Sequence, residues 1–146
     1  MKKGVLALVL SVFVFISCSV ESSKVSSPDK NIEVKFHLNK IGKFFYTIHY
    51  KEKAIIDTSF VGFEFTNAPS LDKGFIAKVK KTVEVNETWQ MPWGEQLNVV
   101  NHYNEVKIKL QERDSLQRKV NLVFRVFDDG VGFRYEFPKQ ENLSLI

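Results

Sequence analysis

Cysteine is almost absent from this chain of 146 residues, with Cys18 the only one. No disulfide or thiolate metal site can form within the chain, so stability must come from an apolar core. Helical periodicity is lacking as well, since no stretch beyond the first residues keeps apolar spacing for three turns. There is no strong excess of one charge. The formal net charge is +4, and without Lys2 and Lys3 the 21 basic residues become 19 against 17 acidic ones. The lysines alternate with acids instead of forming a basic stripe, which argues against nucleic acid as a partner. No glycine-rich phosphate cradle, nucleophile elbow, zinc-ligand cluster or dinucleotide fingerprint is present.

The one long apolar run, Val5 to Ile16, is broken only by Ser11 and follows the positive Lys2-Lys3 pair. It is too short to span a bilayer comfortably and has the layout of a secretory signal. Phe15-Ile16-Ser17-Cys18 resembles a bacterial lipobox, in which Cys18 becomes the lipid-modified N-terminus. Phe15 stands where leucine is usual, and ordinary signal cleavage beside a chance cysteine is the other reading. The expected organisation is a signal peptide over 1–17, a lipid-anchored flexible tether over 18–29, and a domain over 30–146. The serine-rich composition up to Pro28-Asp29 supports the tether. The expected location is across the inner membrane, anchored in the periplasm or at the outer membrane.

Period-two alternation dominates the domain. Ile32, Val34, Phe36 and Leu38 share one face, and Phe44, Tyr46, Ile48 and Tyr50 repeat the pattern after a turn at Asn39–Lys43. Further sets are Val61, Phe63 and Phe65, and Phe75 to Val85 interrupted at Lys81. Val106 to Leu110, Val120 to Val126 and Val131 to Phe137 complete them. Each set suits a half-buried antiparallel strand, and thirteen Phe with many Val favour pleated packing. The fold class is all-β, an antiparallel β-sandwich. Asp129-Gly130 between alternating runs predicts a two-residue type I′ hairpin. That register sets Val126 opposite Phe133, Phe127 opposite Gly132, and Arg125 opposite Arg134, with Glu136 close enough to relieve the repulsion. Leu143–Ile146 reads as the first residues of another strand, which would leave an unpaired sheet edge and reduced stability.

Few residues suggest chemistry. Trp89 and Trp93 lie in the Pro/Gly-containing segment Gln90-Met-Pro-Trp-Gly94. They either cap the core, with each indole N–H finding a carbonyl, or cover the apolar face of a sugar. His102 and Asn104 share the parity of Val106, Ile108 and Leu110, so an inward face is expected. There they need partners, because an unpaired buried polar group costs roughly 1–3 kcal/mol. One reading pairs them with the Trp-Gly-Glu loop at Glu95, and the other makes a polar patch at the sandwich mouth. His37 and His49 lie on polar faces and suggest no chemistry. Glu87, Glu95 and Glu105 surround this cluster, but the separation that a glycosidase pair requires is not readable from sequence. Asp128-Asp129-Gly130 lacks the alternating oxygen ligands of a calcium loop.

Three elements in order, Glu87-Thr-Trp-Gln-Met-Pro-Trp-Gly-Glu95, Asn101-His-Tyr-Asn-Glu105 and Phe127-Asp-Asp-Gly-Val-Gly-Phe-Arg-Tyr-Glu-Phe137, resemble the N-terminal sandwich of glycoside hydrolase family 97. Members of that family cleave α-glucosides or α-galactosides. The resemblance implies a galactose-mutarotase-like supersandwich, incomplete here, with the acid and base carboxylates on a following (β/α)8 barrel. It therefore implies a truncated, non-catalytic module, inactive alone, that packs on the barrel and helps wall the sugar site. No cofactor is expected in this chain. The calcium of the whole enzymes takes its one sandwich ligand from a glutamate beyond the matching segment, so no metal ligand is carried over. The candidate residues for sugar binding or barrel contact are Trp89, Trp93, Glu95, His102 and Asn104. Expected partners are an α-linked oligosaccharide or a catalytic barrel, with the membrane met only through the lipid anchor. A stand-alone carbohydrate-binding lipoprotein is the alternative. An aldose-epimerase-like activity would need a His acid and a Glu base in one cavity, and only His102 is a candidate.

Overall fold

The computed structural model describes residues 23–95 and 97–143. The signal segment and Cys18 lie outside the described residues. So does most of the strand expected at Leu143–Ile146, of which only Leu143 is described, closing a short 3-10 turn at Glu141–Leu143.

Among the described residues nine strands form two antiparallel sheets. Sheet one has the order β1 (Lys24–Ser26), β2 (Ile32–Leu38), β3 (Phe44–Tyr50) and β4 (Lys53–Phe60). Sheet two has the order β5 (Phe75–Val79), β7 (Asn98–Glu112), β8 (Lys119–Val126) and β9 (Val131–Glu136), with β6 (Val83–Gln90) also paired to β7. β5 and β6 lie end to end along one side of β7. β5 takes its 108–112 half and β6 its 98–105 half. The core is the alternation read from the sequence. Val34, Phe36, Phe44, Tyr46, Val106, Ile108, Leu110, Val120, Leu122, Phe124 and Val126 are all buried between the sheets. Phe124 sits at its centre, with its ring 4.9 Å from Phe36 and 5.2 Å from both Tyr46 and Phe133. The sandwich is sealed less fully along β4 and β9, each the last strand of its sheet; Phe133 faces inward yet keeps 42 % of its surface exposed.

Four expectations are corrected. The first concerns the tether. Lys24–Ser26 pairs with β2, Val25 and Ser27 are buried, and Ser27 Oγ bonds both Asp29 and the Ile32 amide. Ordered structure thus begins inside the stretch read as flexible, because tertiary burial of one valine outweighs a polar local composition.

The second concerns Val61–Phe65, which is not a strand. It belongs to the connection between the sheets, closed by a bridge from Phe63 to Leu71, and the strand before it is the exposed β4. The third concerns Phe75–Val85, which splits into β5 and β6.

The fourth concerns the Asp129-Gly130 hairpin, whose register is shifted by two residues. Val126 pairs with Val131, Phe124 with Phe133, Arg125 with Gly132, and the Phe127 amide donates to the Gly130 carbonyl at 2.8 Å. Gly130 has no positive φ, so the turn is not type I′. A shift of two preserves the faces, so Arg125 and Arg134 share the outer face but are diagonal and not opposed. Glu105 separates them, 2.8 Å from Arg125 Nε and 3.9 Å from Arg134 Nη1. Glu136 bonds Arg134 and Lys107. The type I′ geometry occurs instead at Lys51-Glu52 between β3 and β4, with φ of 45° and 69°. Neither residue carries the usual Gly or Asn signal.

Candidate functional site

β7 is longer than its partner β8, which stops pairing at Asn104. Beyond that point residues 98–103 are held only by β6, so the β6–β7 hairpin projects from the sandwich as a two-stranded arm. Its register alternates cleanly. Val85, Glu87 and Trp89 share a face with Tyr103, Asn101 and Val99, which is the outer face of sheet two. Glu84, Asn86 and Thr88 share the other with Asn104, His102 and Val100.

The arm is polar where it leaves the body, at Asn86, Glu87, Asn101 and His102, and apolar towards its tip. Trp89 is 44 % exposed, Trp93 83 %, and Met91, Leu97 and Val100 are exposed as well. Trp93 stands at the tip beside Gly94, whose φ of +121° is a backbone state open to glycine. Neither tryptophan caps the core. Trp89 shares its face with Val99, Val100 lies on the opposite face and Trp93 at the tip, so large apolar side chains are exposed on several sides of the arm.

The sequence candidates are only partly brought together. Glu95 is exposed at the arm tip near Trp93. His102 Nε2 lies 2.9 Å from Glu84 Oε1 at the surface, so its partner is β6 and not the Trp-Gly-Glu loop. Asn104 is half-buried and donates from Nδ2 to the Ser26 carbonyl at 2.8 Å, tying sheet two to β1. It has a structural role and does not meet the tryptophans. Cys18 lies outside the described residues.

The alternate residues of the same motif carry more interaction than the pair chosen from sequence. Asn101 Nδ2 donates to Glu87 Oε1 at 2.6 Å. Tyr103 is buried against Phe127 at 5.0 Å and lies under the Arg125 guanidinium at 4.6 Å. The Glu105 carboxylate beside Arg125 raises the guanidinium's pKa further, and Lys107 above all holds Glu136 below its ordinary value. A polar outer face therefore runs from Arg134 through Arg125 and Tyr103 to Glu87 and Trp89. The signal in the sequence is parity: Asn101, Tyr103 and Glu105 alternate with His102 and Asn104 and so take the outer face.

Among the described residues no three His, Cys, Asp or Glu side chains converge in a way that could hold a metal ion.

Residues 25–146 match the family described as Glycosyl-hydrolase 97 N-terminal. The chain belongs to this family. A glycoside hydrolase family 97 enzyme from Pseudoalteromonas sp. strain K8, solved in complex with acarbose, is 37 % identical with a TM-score of 0.77. The match covers 83 % of this chain and 18 % of that one. A point variant of that enzyme in complex with panose gives a TM-score of 0.76 at the same identity and coverage. A β-arabinopyranosidase, 24 % identical with a TM-score of 0.70, shares the fold. The chain thus spans less than a fifth of the family 97 enzymes it matches, and it corresponds to their N-terminal sandwich.

Proposed function

We propose that this chain is the non-catalytic N-terminal module of a glycan-degrading α-glycoside hydrolase, packing on a catalytic barrel and helping to wall its sugar site. The observation that carries this reading is the β6–β7 arm, which exposes Trp89, Met91, Trp93, Leu97 and Val100 beyond the sandwich. Burying the two indoles alone removes a few hundred Å² of apolar surface from water. The same residues set into a barrel domain would resemble a core cut in half, as in permanent interfaces. The polar outer face beside the arm supplies the rim such an interface requires. By this reading the acid and base lie on the barrel, and this chain is inactive alone. We further propose that Cys18 carries a lipid anchor that holds the module at a membrane.

Calorimetry tests the reading. The chain is titrated with the part of the Pseudoalteromonas enzyme that lies beyond the match. Binding that is lost in a Trp89→Ala/Trp93→Ala variant supports docking. The exposure of Trp93 also favours one second reading, a stand-alone carbohydrate-binding lipoprotein. Heat released with malto- or galacto-oligosaccharides, and none with the catalytic part, would select it.

A further inference from the structure

On the outer face of sheet one, far along the chain from the arm motif, a cleft of about 500 Å³ is walled by Lys24, Lys30, Lys35, Lys51, Glu33 and His49. Four cations thus face two carboxylates, Glu33 and Glu52. Glu33 is already occupied. Lys24 Nζ bonds one of its oxygens at 2.6 Å and Lys35 Nζ approaches the other at 3.2 Å, which holds its pKa low. Lys30 and Lys51 pair with no carboxylate among the described residues, although Lys51 Nζ lies 5.3 Å over the Tyr50 ring, and His49 Nδ1 is shut off from solvent without a hydrogen-bond partner.

Both lysines stand in turns that border the cleft. Lys30 and Lys51 both hold left-handed φ, 63° and 45°, as does Glu52 at 69°. At Lys51 and Glu52 this is the type I′ turn between β3 and β4, and at Lys30 it is the turn in which the Lys30 amide donates to the Ser27 carbonyl at 3.0 Å. Two lysines that form no ion pair, from separate turns, therefore line one cleft. A multi-oxygen anion fits that charge and geometry.

Lys24 is six residues beyond Cys18, a reach of at most about 20 Å even for extended chain. A lipid on Cys18 therefore keeps the cleft close to the bilayer surface, where anionic headgroups attract lysines over about one Debye length. We propose that this basic cleft binds the phosphate groups of anionic membrane lipids and fixes the orientation of the module at the membrane. Only the orientation rests on the Cys18 anchor proposed above; the anion site does not.

The test uses the mature chain from residue 18 with Cys18→Ser, so that no acyl chain contributes. Its partitioning is measured onto phosphatidylglycerol-containing vesicles and onto pure phosphatidylcholine. The expected result is binding to the anionic vesicles only, weakened by salt. Each lysine contributes about a five-fold factor, so Lys30→Glu/Lys51→Glu lowers binding by roughly 20-fold or more. Trp89→Ala/Trp93→Ala leaves it unchanged. Equal binding to neutral vesicles, or loss of binding in the tryptophan variant alone, would overturn the proposal and assign the membrane contact to the arm. Saturable binding of inorganic phosphate without vesicle binding would also overturn it, as would preferential capture by a soluble polyuronate. Separately, absence of palmitate label on the chain in cells would remove the anchor while vesicle binding still decided the cleft.

Discussion

Arg118 and Glu112 form a two-point ion pair buried beneath the connection between the sheets. Nε and Nη2 of Arg118 donate to the two carboxylate oxygens, each at 2.7 Å, and the side chains are 2 % and 4 % exposed. The remaining guanidinium edge donates to the Pro69 and Ser70 carbonyls at 2.7 and 2.8 Å, and Phe65 stacks over it. The carboxylate raises the arginine's already high pKa. Removing one partner leaves a buried charge unpaired. Arg118→Met should therefore cost about 3–5 kcal/mol in urea unfolding, and Glu112→Leu added to it should recover part of that loss. The recovery is partial because Pro69 and Ser70 keep unsatisfied carbonyls.

The glycines offer a paired prediction. Gly42 has φ +74°, and a Cβ there would stand 2.7 Å from the Phe75 amide nitrogen and 2.8 Å from the Gly74 carbonyl carbon. Gly42→Ala should destabilise by about 1–2 kcal/mol from backbone conformation alone, and by more through the clash. Gly130 meets nothing within 4 Å and lacks positive φ, so Gly130→Ala should change stability by less than about 0.5 kcal/mol. Thermal or urea unfolding of both variants checks this, and the type I′ hairpin expected from sequence would give a costly Gly130→Ala.

That contrast shows what was legible. β2, β3, β8 and β9 follow from apolar alternation because sheets with one buried face write their register into side-chain period. The hairpin kept its faces and lost its register, since Asp-Gly indicates a turn without fixing which residues occupy its centre. β1 was invisible because a three-residue strand with one valine has no period, and its stability is tertiary. At the site, the motif was legible and its parity was not. The parity of Val106 points to His102 and Asn104, yet Asn104 is a tie to Ser26 and the interacting face belongs to Glu87, Asn101, Tyr103 and Arg125. The projecting arm could not be read from sequence, because it arises from β7 outlasting β8.

Acid should loosen the turn after β1 late and selectively. Asp29 accepts from Ser27 Oγ and from the Asn31 amide, and these bonds lower its pKa to about 2 from 3.8. A depressed carboxylate contributes stability that is full above the unfolded pKa and lost as pH falls through the folded one. Amide protection at Asn31 and Ile32 should persist down to about pH 4 and disappear between that value and about pH 2. Exchange measured across that range decides it, and Asp29→Asn should abolish the pH dependence.

Exposure also separates fold from interface. Trp93→Ala should alter the unfolding free energy by less than about 0.5 kcal/mol, since the ring is 83 % exposed. Phe124→Ala, at a fully buried centre, should cost about 3–5 kcal/mol. A large loss for Trp93→Ala in urea unfolding would mean that the arm folds back on the sandwich.

The most direct test follows Trp93 fluorescence in a Trp89→Phe variant, where it is the single remaining indole. On mixing with the catalytic part of the Pseudoalteromonas enzyme, emission should shift to the blue and saturate at a defined ratio, and malto-oligosaccharide alone should leave it unchanged. An unmoved spectrum with the catalytic part, together with a shift on adding the sugar, would contradict the docking account.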